Sequence, residues 1–358
     1  MGRRNANFPT NAKPFSLCDI KLEMKDLITY STLYPEIPFE IVLFFSNVQP
    51  VDNKIVPKNV MDFCVFYKNK YPAKSSPQPI VIVKICDIFC EDGQLSLMYR
   101  SAYDGFYNCY YGILNDSLIS RDQSLELYFK KKFNYLIYGF KHIYQDYKKY
   151  VLPIEYTDEL GNKSLGTCFL FGDGIVTARH CIEGASKISI QGFTVEDLTK
   201  SKFEVHENKL MDLLYIRLLT PPKESIKFSQ KAEILDEVMT LGYPKIPGYH
   251  NFMTAENATV SARFTTSLGQ IVSNAKDIWI RENLFLVTAK IKGGNSGGPV
   301  VANNGSVVGV SVNLSIGEGD YDDMGYGTVI PIEFVESLIN NETKRYLDTA
   351  NIEFVDFD

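Results

Sequence analysis

The sequence lacks the features that mark several large classes of protein. No apolar run is long enough to span a bilayer, and a net charge of −6 with a pI near 5.4 offers no basic excess for coating phosphates. The first residues, MGRRNANFPTNAKPF, place polar residues after two arginines, so neither a secretory nor a twin-arginine signal is visible. We therefore expect a soluble, cytoplasmic protein without a nucleic-acid or membrane partner.

The cysteines lack the arrangement that binds a metal. There are seven, an odd number, and they show neither paired C-x-x-C spacing nor a histidine partner pattern for zinc. Because no export signal is visible, we expect a reducing compartment and cysteines that act as small buried hydrophobic residues. The sequence predicts no metal and no cofactor.

Length and composition predict two folded domains, since the chain has 358 residues, 45% of them hydrophobic and 22% charged. Near the N-terminus, apolar runs between turn-forming residues predict strands: FEIVLFF (39–45), CVFYK (64–68), PIVIVKICDIF (79–89) and LSLMYR (95–100). Between residues 124 and 150, apolar residues recur every three or four positions, which predicts an amphipathic helix. We therefore expect an α+β domain over residues 1–150, with its boundary just after this helix.

Three segments of the second half carry residue types that suit nucleophilic catalysis. GDGIVTARHCIEGA (172–185) ends an apolar strand at His180, HENKLMDLLYIRLL (206–219) puts Asp212 before an alternating strand, and KGGNSGGPVV (292–301) contains Ser296. A serine hydroxyl needs a base to take its proton, and that base needs a carboxylate on its other nitrogen. We predict Ser296 as the nucleophile, His180 as the base and Asp212 as the orienting carboxylate.

Other residues of the same types remain alternatives. Asp197 and Asp236 are the alternative carboxylates. The remaining histidines lie outside a block such as TARHC, and we expect them to be solvated or packing residues: His142, His206 and His250.

TARHC, DLLYI and GNSGGPVV resemble the three signature blocks of the trypsin-like serine peptidases. VMTLGYP (238–244), GQIVS (269–273) and parts of residues 305–338 resemble the HtrA/DegP-like branch of that family. The resemblance covers about residues 151–345 and implies a mainly β chain with a C-terminal chymotrypsin-like double β-barrel and a short terminal helix. It leaves residues 346–358 as an acidic tail, offers no family for residues 1–150, and includes no PDZ domain.

The resemblance also implies roles for the residues around the serine. The N–H groups of Gly294 and Ser296 would form the oxyanion hole, and the glycines of the loop would allow a partly positive-φ backbone: Gly293, Gly294, Gly297 and Gly298. Ile291, beside Lys290, would form the base of the substrate pocket, with walls from Val312, Asn313, Gly325 and Gly327. Because trypsin's acidic pocket residue is absent here, we expect a small or medium apolar residue before the cleaved bond.

Two functions of different classes fit this sequence. The first is a serine endopeptidase that cleaves proteins or peptides through an acyl-enzyme, with residues 1–150 recognising substrate or a regulatory protein. The second is a catalytically silent binding or scaffold protein with a protease fold. Asn295 stands where digestive zymogens carry a charged aspartate, so we expect Asn295 to bond locally and activation to be a population shift biased by residues 1–150. Cys168 and Cys181 are predicted to be free thiols.

Overall fold

The computed structural model describes residues 30–47, 50–51, 54–102, 104–114, 122–244, 263–312, 325–340 and 344–357. Two residues named above, His250 and Asn313, lie outside the described residues. The chain divides into two compact units, Met1–Tyr138 and Gly139–Asp358. The division falls at Gly139, whereas the sequence predicted a boundary just after residue 150.

The N-terminal unit packs helices and a small sheet around an aromatic core that includes Phe45, Phe63 and Phe89. Its helices are α1 (Ile37–Ser46), α2 (Val60–Lys70) and α3 (Pro79–Glu91), and a short 3₁₀ turn spans Gly105–Tyr107. Strands β3 (Lys58–Asn59), β4 (Leu95–Tyr99) and β5 (Cys109–Gly112) form a sheet in the order β3-β5-β4. Strands β1 (Pro50–Val51) and β2 (Lys54–Ile55) pair with each other. The unit mixes helices and strands, as an α+β domain does.

Three of the four predicted N-terminal strands are wrong, because FEIVLFF, CVFYK and PIVIVKICDIF lie in α1, α2 and α3. Helix α1 buries residues on more than one side, which hides its helical period, whereas the buried residues of α2 and α3 recur every three or four positions along one face. The strand prediction for those two runs gave their β-branched and aromatic residues more weight than this period. The boundaries did carry helix signals. Proline occupies the first turn of α1 and of α3, and Asn59 and Asp62 form a capping box at α2.

The helix predicted over 124–150 is α4, Gln123–Tyr147, and it is kinked. Gly139 has φ 61° and ψ −159° inside it, a conformation that only glycine adopts readily. The half of α4 that follows the kink packs on the C-terminal unit. There the ring of Tyr144 lies 5.4 Å from that of Phe264, and the Tyr147 hydroxyl donates a hydrogen bond to the carbonyl of Gly305.

The C-terminal unit contains two β systems. The first is an eight-stranded sheet of order β18-β10-β11-β8-β7-β6-β9-β19, formed by β6 (Val151–Asp158), β7 (Lys163–Phe171), β8 (Gly174–Thr177), β9 (Ala185–Ile190), β10 (Lys202–Val205), β11 (Leu214–Arg217), β18 (Arg345–Tyr346) and β19 (Glu353–Phe354). The second is a closed barrel of order β12-β13-β14-β17-β16-β15, formed by β12 (Glu237–Gly242), β13 (Thr265–Lys276), β14 (Asn283–Val287), β15 (Pro299–Ala302), β16 (Val307–Val312) and β17 (Gly327–Pro331). Helix α5 (Val195–Thr199) precedes β10, and helix α6 (Ile332–Ile339) follows β17.

This arrangement confirms the predicted fold class, a mainly β unit of the chymotrypsin-like double-barrel type with a short helix after its last barrel strand. Apolar side chains from several barrel strands meet in its interior. Val238, Phe285, Val300 and Val329 belong to one buried cluster inside it. Among the described residues, no helix combines the length and the apolar character needed to cross a membrane.

The acidic tail predicted at 346–358 is instead part of the first sheet. Strand β18 pairs with β10, strand β19 pairs in parallel with β9, and the ring of Phe354 stacks 5.5 Å from that of Phe203. The acidic composition of the segment suggested a solvated tail, but alternate apolar residues are enough to add an edge strand. The tail prediction is therefore wrong.

A buried ion pair network ties this C-terminal segment to the first sheet, and it gives a prediction for stability. Glu204 is 1% exposed, and its carboxylate accepts hydrogen bonds from Arg217 Nε at 2.9 Å and from Lys344 Nζ at 2.9 Å. Because Glu204→Gln leaves both cations without their counter-charge, we expect it to lower the free energy of unfolding by about 3 kcal/mol in urea titrations.

The matched control is Glu353→Gln, which removes the same charge from an exposed pair. Lys187 and Glu353 approach to 2.8 Å, but their side chains are 52% and 60% exposed. Surface pairs of this kind contribute less than about 1 kcal/mol. Equal losses in the two variants would contradict a structural role for the burial of Glu204.

Candidate active site

Neighbouring strands of the first sheet bring His180 and Asp212 together. His180 lies in the 3₁₀ turn Arg179–Cys181 just after β8, and Asp212 lies two residues before β11. Strands β8 and β11 pair antiparallel, with Thr177 opposite Leu214, so the end of one meets the start of the other. His180 Nδ1 lies 2.6 Å from Asp212 Oδ2, and the backbone N–H of His180 donates to Oδ1 at 2.9 Å.

This double contact determines the chemistry of the imidazole. Burial lowers the pKa of His180, but the hydrogen bond to Asp212, the interactions with Cys181 and the charge of the Asp212 carboxylate together outweigh this effect, so the pKa of His180 is raised. A carboxylate at Nδ1 holds the proton there, which leaves Nε2 of the neutral ring as a proton acceptor. The His180 side chain is 42% exposed.

The alternative carboxylates and histidines occupy other environments. Asp197 caps helix α5 through Thr194, and Asp236 accepts a hydrogen bond from the N–H of Glu233. His206 Nδ1 accepts from the N–H of Asn208, and burial lowers the pKa of both His206 and His142. Asp212 is therefore the carboxylate that contacts His180 among the alternatives weighed from the sequence.

The loop that contains Ser296 rests directly on the turn that carries His180. Ser296 is 3% exposed, and its carbonyl accepts a hydrogen bond from the N–H of Thr167 at 3.0 Å. Gly297 has φ 88°, and a Cβ placed on it would lie 2.6 Å from the nitrogen of Ala178, two residues before His180. No larger residue fits at this position, which explains one glycine of the motif.

The other glycines of the loop have different structural roles. Gly294 has φ 96°, whereas Gly293 and Gly298 are not among the positive-φ residues of the described chain. Gly298 is required by close approach, since a Cβ there would lie 2.2 Å from the carbonyl oxygen of Leu241. Gly293 meets nothing within 4 Å.

Some backbone N–H groups of this loop donate hydrogen bonds within the protein and others do not. The N–H groups of Asn295, Gly297 and Gly298 donate to the carbonyls of Lys292, Ser311 and Asn295. Within the ranges that the structure describes, no hydrogen bond uses the N–H of Gly294 or of Ser296. These two are the pair that the sequence assigned to an oxyanion hole. The sequence predicted that the Asn295 side chain forms local hydrogen bonds. Its Oδ1 is instead buried with no hydrogen-bond partner in the described part of the chain.

A comparison with protein families matches residues 166–310 to the trypsin-like peptidase domain. Residues 166–310 form a trypsin-like peptidase domain. The matched range contains His180, Asp212 and Ser296, and the domain is homologous to the HtrA/DegP family of proteases.

Curated relatives of the peptidase domain are distant and longer. The magnetosome formation protease MamE of Paramagnetospirillum magneticum is 27% identical over 185 residues, which cover 50% of this chain and 23% of that protein. The periplasmic serine endoprotease DegP of Escherichia coli K12 is 29% identical over 168 residues, which cover 46% of this chain and 32% of that protein. The chain thus spans less than a third of the length of either relative.

Among solved structures, the active form of the Rv3671c protease from M. tuberculosis aligns with a TM-score of 0.43 and 19% identity. The alignment covers 58% of this chain and 87% of that one.

In the peptidase domain, the residues assigned to a substrate pocket lie partly together. Ile291 is 4% exposed, and a Cβ on Gly327 would lie 2.5 Å from its Cδ1. Val312 is buried at the end of β16, where it pairs with Thr328, the neighbour of Gly327. Gly325 has φ 77° in the turn before β17, and Lys290 is exposed.

The cysteines of the peptidase domain are free. Cys168 and Cys181 are both buried, and burial raises the pKa of the Cys168 thiol. Cys181 Sγ lies 4.0 Å from the carbonyl oxygen of Ser296. The prediction of two free thiols agrees with the structure.

Two further residues contact the serine loop, and sequence reasoning missed both. The Thr167 hydroxyl donates to the carbonyl of Gly294 at 2.6 Å, and the Ser311 hydroxyl donates to that of Asn295 at 2.6 Å. Both side chains are fully buried. Their one sequence signal is a polar residue within an apolar strand pattern, which does not say what the hydroxyl contacts.

Proposed function

We propose that the chain is a serine endopeptidase that cleaves peptide bonds through Ser296, His180 and Asp212. The observation that carries the proposal is the His180–Asp212 pair, which is joined by two hydrogen-bond contacts. It lies beside a serine loop in which the N–H groups of Gly294 and Ser296 donate no hydrogen bond among the described residues. The homology to trypsin-like and HtrA/DegP proteases supports the broader class of peptidase.

The proposed reaction has two steps. Ser296 Oγ attacks the carbonyl carbon while its proton passes to His180 Nε2, and Asp212 stabilises the resulting imidazolium. The carbonyl oxygen becomes an anion that the N–H groups of Gly294 and Ser296 stabilise, each such donor contributing about 10²–10³ in kcat. Collapse breaks the C–N bond, His180 returns the proton to the leaving amine, and an ester to Ser296 remains. Water then attacks that ester by the same route and releases the acid.

The proposed substrates are proteins or peptides with a small or medium apolar residue before the cleaved bond. Support comes from Ile291, which is apolar and packs against Gly327. The base of the pocket thus carries an apolar residue and lacks the acidic residue of trypsin. The exposed Lys290 nearby disfavours a basic residue of the substrate. The wall residues assigned to this pocket are Val312, Asn313, Gly325 and Gly327.

Labelling of the full chain by a fluorophosphonate probe tests the proposal without knowledge of the substrate. The folded chain should react at a rate that saturates with probe and should cut casein into defined fragments. The heat-unfolded chain should do neither. A folded chain that neither labels nor cuts would instead support the catalytically silent binding protein.

We further propose that residues 1–150 control the competent conformation of the serine loop. The part of α4 after Gly139 contacts the hairpin of β15 and β16, through the bond from Tyr147 to Gly305. That hairpin begins just after the Ser296 loop. Helix α4 therefore links the N-terminal unit, through the chain itself, to a segment that contacts the hairpin next to the serine loop.

A truncation tests this control. The fragment must begin at Gly139 and not at residue 151, because Tyr144 packs on Phe264 and the Tyr150 carbonyl accepts from the N–H of Leu170. We expect the fragment and the full chain to differ in fluorophosphonate labelling rate by about fivefold or more, roughly 1 kcal/mol. Equal rates at equal concentrations of folded protein, or activity that appears only after cleavage near residue 150, would contradict the proposal.

For the location, we propose a reducing, cytoplasmic compartment. The free thiols of Cys168 and Cys181 support it. The name of the E. coli relative, a periplasmic endoprotease, counts against it.

A further inference from the structure

Ser311 is a polar residue in a strand that is otherwise apolar. It lies in β16 between Val310 and Val312, and all three side chains are buried. A hydroxyl in such a place destabilises the fold unless it is hydrogen-bonded. Valine would fit the pattern of the strand better, so the contact that Ser311 makes is what distinguishes this position.

The Ser311 hydroxyl contacts the backbone of the serine loop. It donates to the carbonyl oxygen of Asn295 at 2.6 Å, and the N–H of Gly298 donates to the same oxygen at 2.9 Å. Its distance to the carbonyl oxygen of Gly298 is longer, 3.1 Å. Two donors from different directions therefore fix the direction of the Asn295 carbonyl.

That carbonyl belongs to the same peptide group as the N–H of Ser296. The described chain contains no cis peptide bond, so the Asn295 C=O and the Ser296 N–H point in opposite directions within one plane. Holding the carbonyl inward toward β16 therefore aims the N–H outward. This N–H is one of the two that no hydrogen bond uses among the described residues.

We propose that Ser311 is a positioning residue, whose hydroxyl orients the Ser296 N–H toward the developing oxyanion. The inference rests on the proposed peptidase function and names a residue of the same site that acts through the backbone. Thr167 acts beside it on the preceding peptide group, since its hydroxyl holds the carbonyl of Gly294 at 2.6 Å. Without the Ser311 hydroxyl, the Asn295 carbonyl keeps one donor and the peptide plane is free to tilt.

The test compares Ser311→Ala with Ser189→Ala in the full chain. Ser189 is also a buried strand serine, 3% exposed, but it lies in β9 of the first sheet. Fluorophosphonate labelling is measured from acid to alkaline pH. We expect Ser311→Ala to lower the plateau rate by about 10-fold to 100-fold, less than removal of a donor because the N–H is misaligned and not lost. The pH midpoint should not move, because the His180–Asp212 pair is intact. Ser189→Ala should stay within about twofold of the wild type at every pH.

Ser311→Thr, which keeps the hydroxyl, should restore most of the rate, and urea unfolding of each variant shows whether it is folded. A plateau that Ser311→Ala leaves unchanged would overturn the proposal, as would an equal loss in Ser189→Ala. A shifted midpoint would also overturn it, because the effect would then come through His180.

Hydrogen exchange separates this inference from the proposed function, since it needs no activity. Peptides covering residues 292–299 should exchange about fivefold faster in Ser311→Ala than in the wild type, because Gly298 and its neighbours lose part of their hydrogen-bonded frame. The same peptides should be unchanged in Ser189→Ala. Unchanged exchange in Ser311→Ala would refute the positioning role even in a chain that never labels. Faster exchange in a chain that does not label would refute the peptidase proposal alone.

Discussion

Ser296→Ala should reduce casein hydrolysis about 10⁶-fold and abolish fluorophosphonate labelling. The hydroxyl is the atom that forms the ester, so no neighbouring group can replace it. The fold should be unaffected, because the Thr167 N–H bonds to the carbonyl of Ser296 and not to its side chain. Thermal unfolding of the variant should therefore match the wild type.

The control for this prediction is again Ser189→Ala, which removes a buried hydroxyl from β9 of the first sheet. It should retain labelling and turnover. Labelling that persists in Ser296→Ala would show that a different nucleophile reacts.

Asp212→Asn should lower the labelling rate about 10⁴-fold. The asparagine amide cannot hold the proton on His180 Nδ1 as the carboxylate does at 2.6 Å, so the ring no longer presents Nε2 as its acceptor. The variant should also change the titration of the ring. Burial lowers the pKa of His180, whereas Asp212 and Cys181 raise it, so loss of the Asp212 carboxylate removes one of the interactions that raise the pKa and should lower it.

Whether the labelling rate rises or falls with pH depends on which protonation state of His180 is active. The neutral imidazole is the base, so the rate rises as pH increases through the pKa of His180. A lower pKa in Asp212→Asn moves this rise to lower pH while the plateau falls. Imidazole NMR titration of full-length wild type and variant measures the pKa directly, even where the rate is too slow to follow.

Asp197→Asn is the matched control, because Asp197 is one of the other carboxylates that the sequence offered. Its carboxylate caps α5 through Thr194 and does not contact His180, so the labelling rate and the His180 titration should stay as in the wild type. A loss in Asp197→Asn equal to that in Asp212→Asn would remove the basis for assigning Asp212.

The sequence predicted the second unit better than the first, and the reason is physical. The motifs around His180, Asp212 and Ser296 place each residue at a strand end, and pairing of β8 with β11 then brings His180 to Asp212. Strands of that unit alternate or end in recognisable turns. In the first unit, α1 is buried on several sides and carries no clear period, whereas α2 and α3 carry a helical period that the β-branched and aromatic residues of their runs obscured.

Other features depend on tertiary contacts that local patterns do not encode. The kink at Gly139 interrupts a continuous amphipathic pattern, because glycine permits a positive φ without requiring it. The strands of residues 344–357 form by pairing with β9 and β10, far away in sequence. The contact of Ser311 with Asn295 likewise joins a barrel strand to the serine loop, so a serine between valines gives no sign of its partner.

The central claim is that Ser296 is an activated nucleophile, and locating the site of covalent modification tests it most directly. The full-length chain is labelled with a fluorophosphonate, digested and analysed by tandem mass spectrometry. The account predicts one adduct, on Ser296, that is absent from Ser296→Ala and strongly reduced in Asp212→Asn. An adduct on another serine of the folded chain, or no adduct at all, would contradict it.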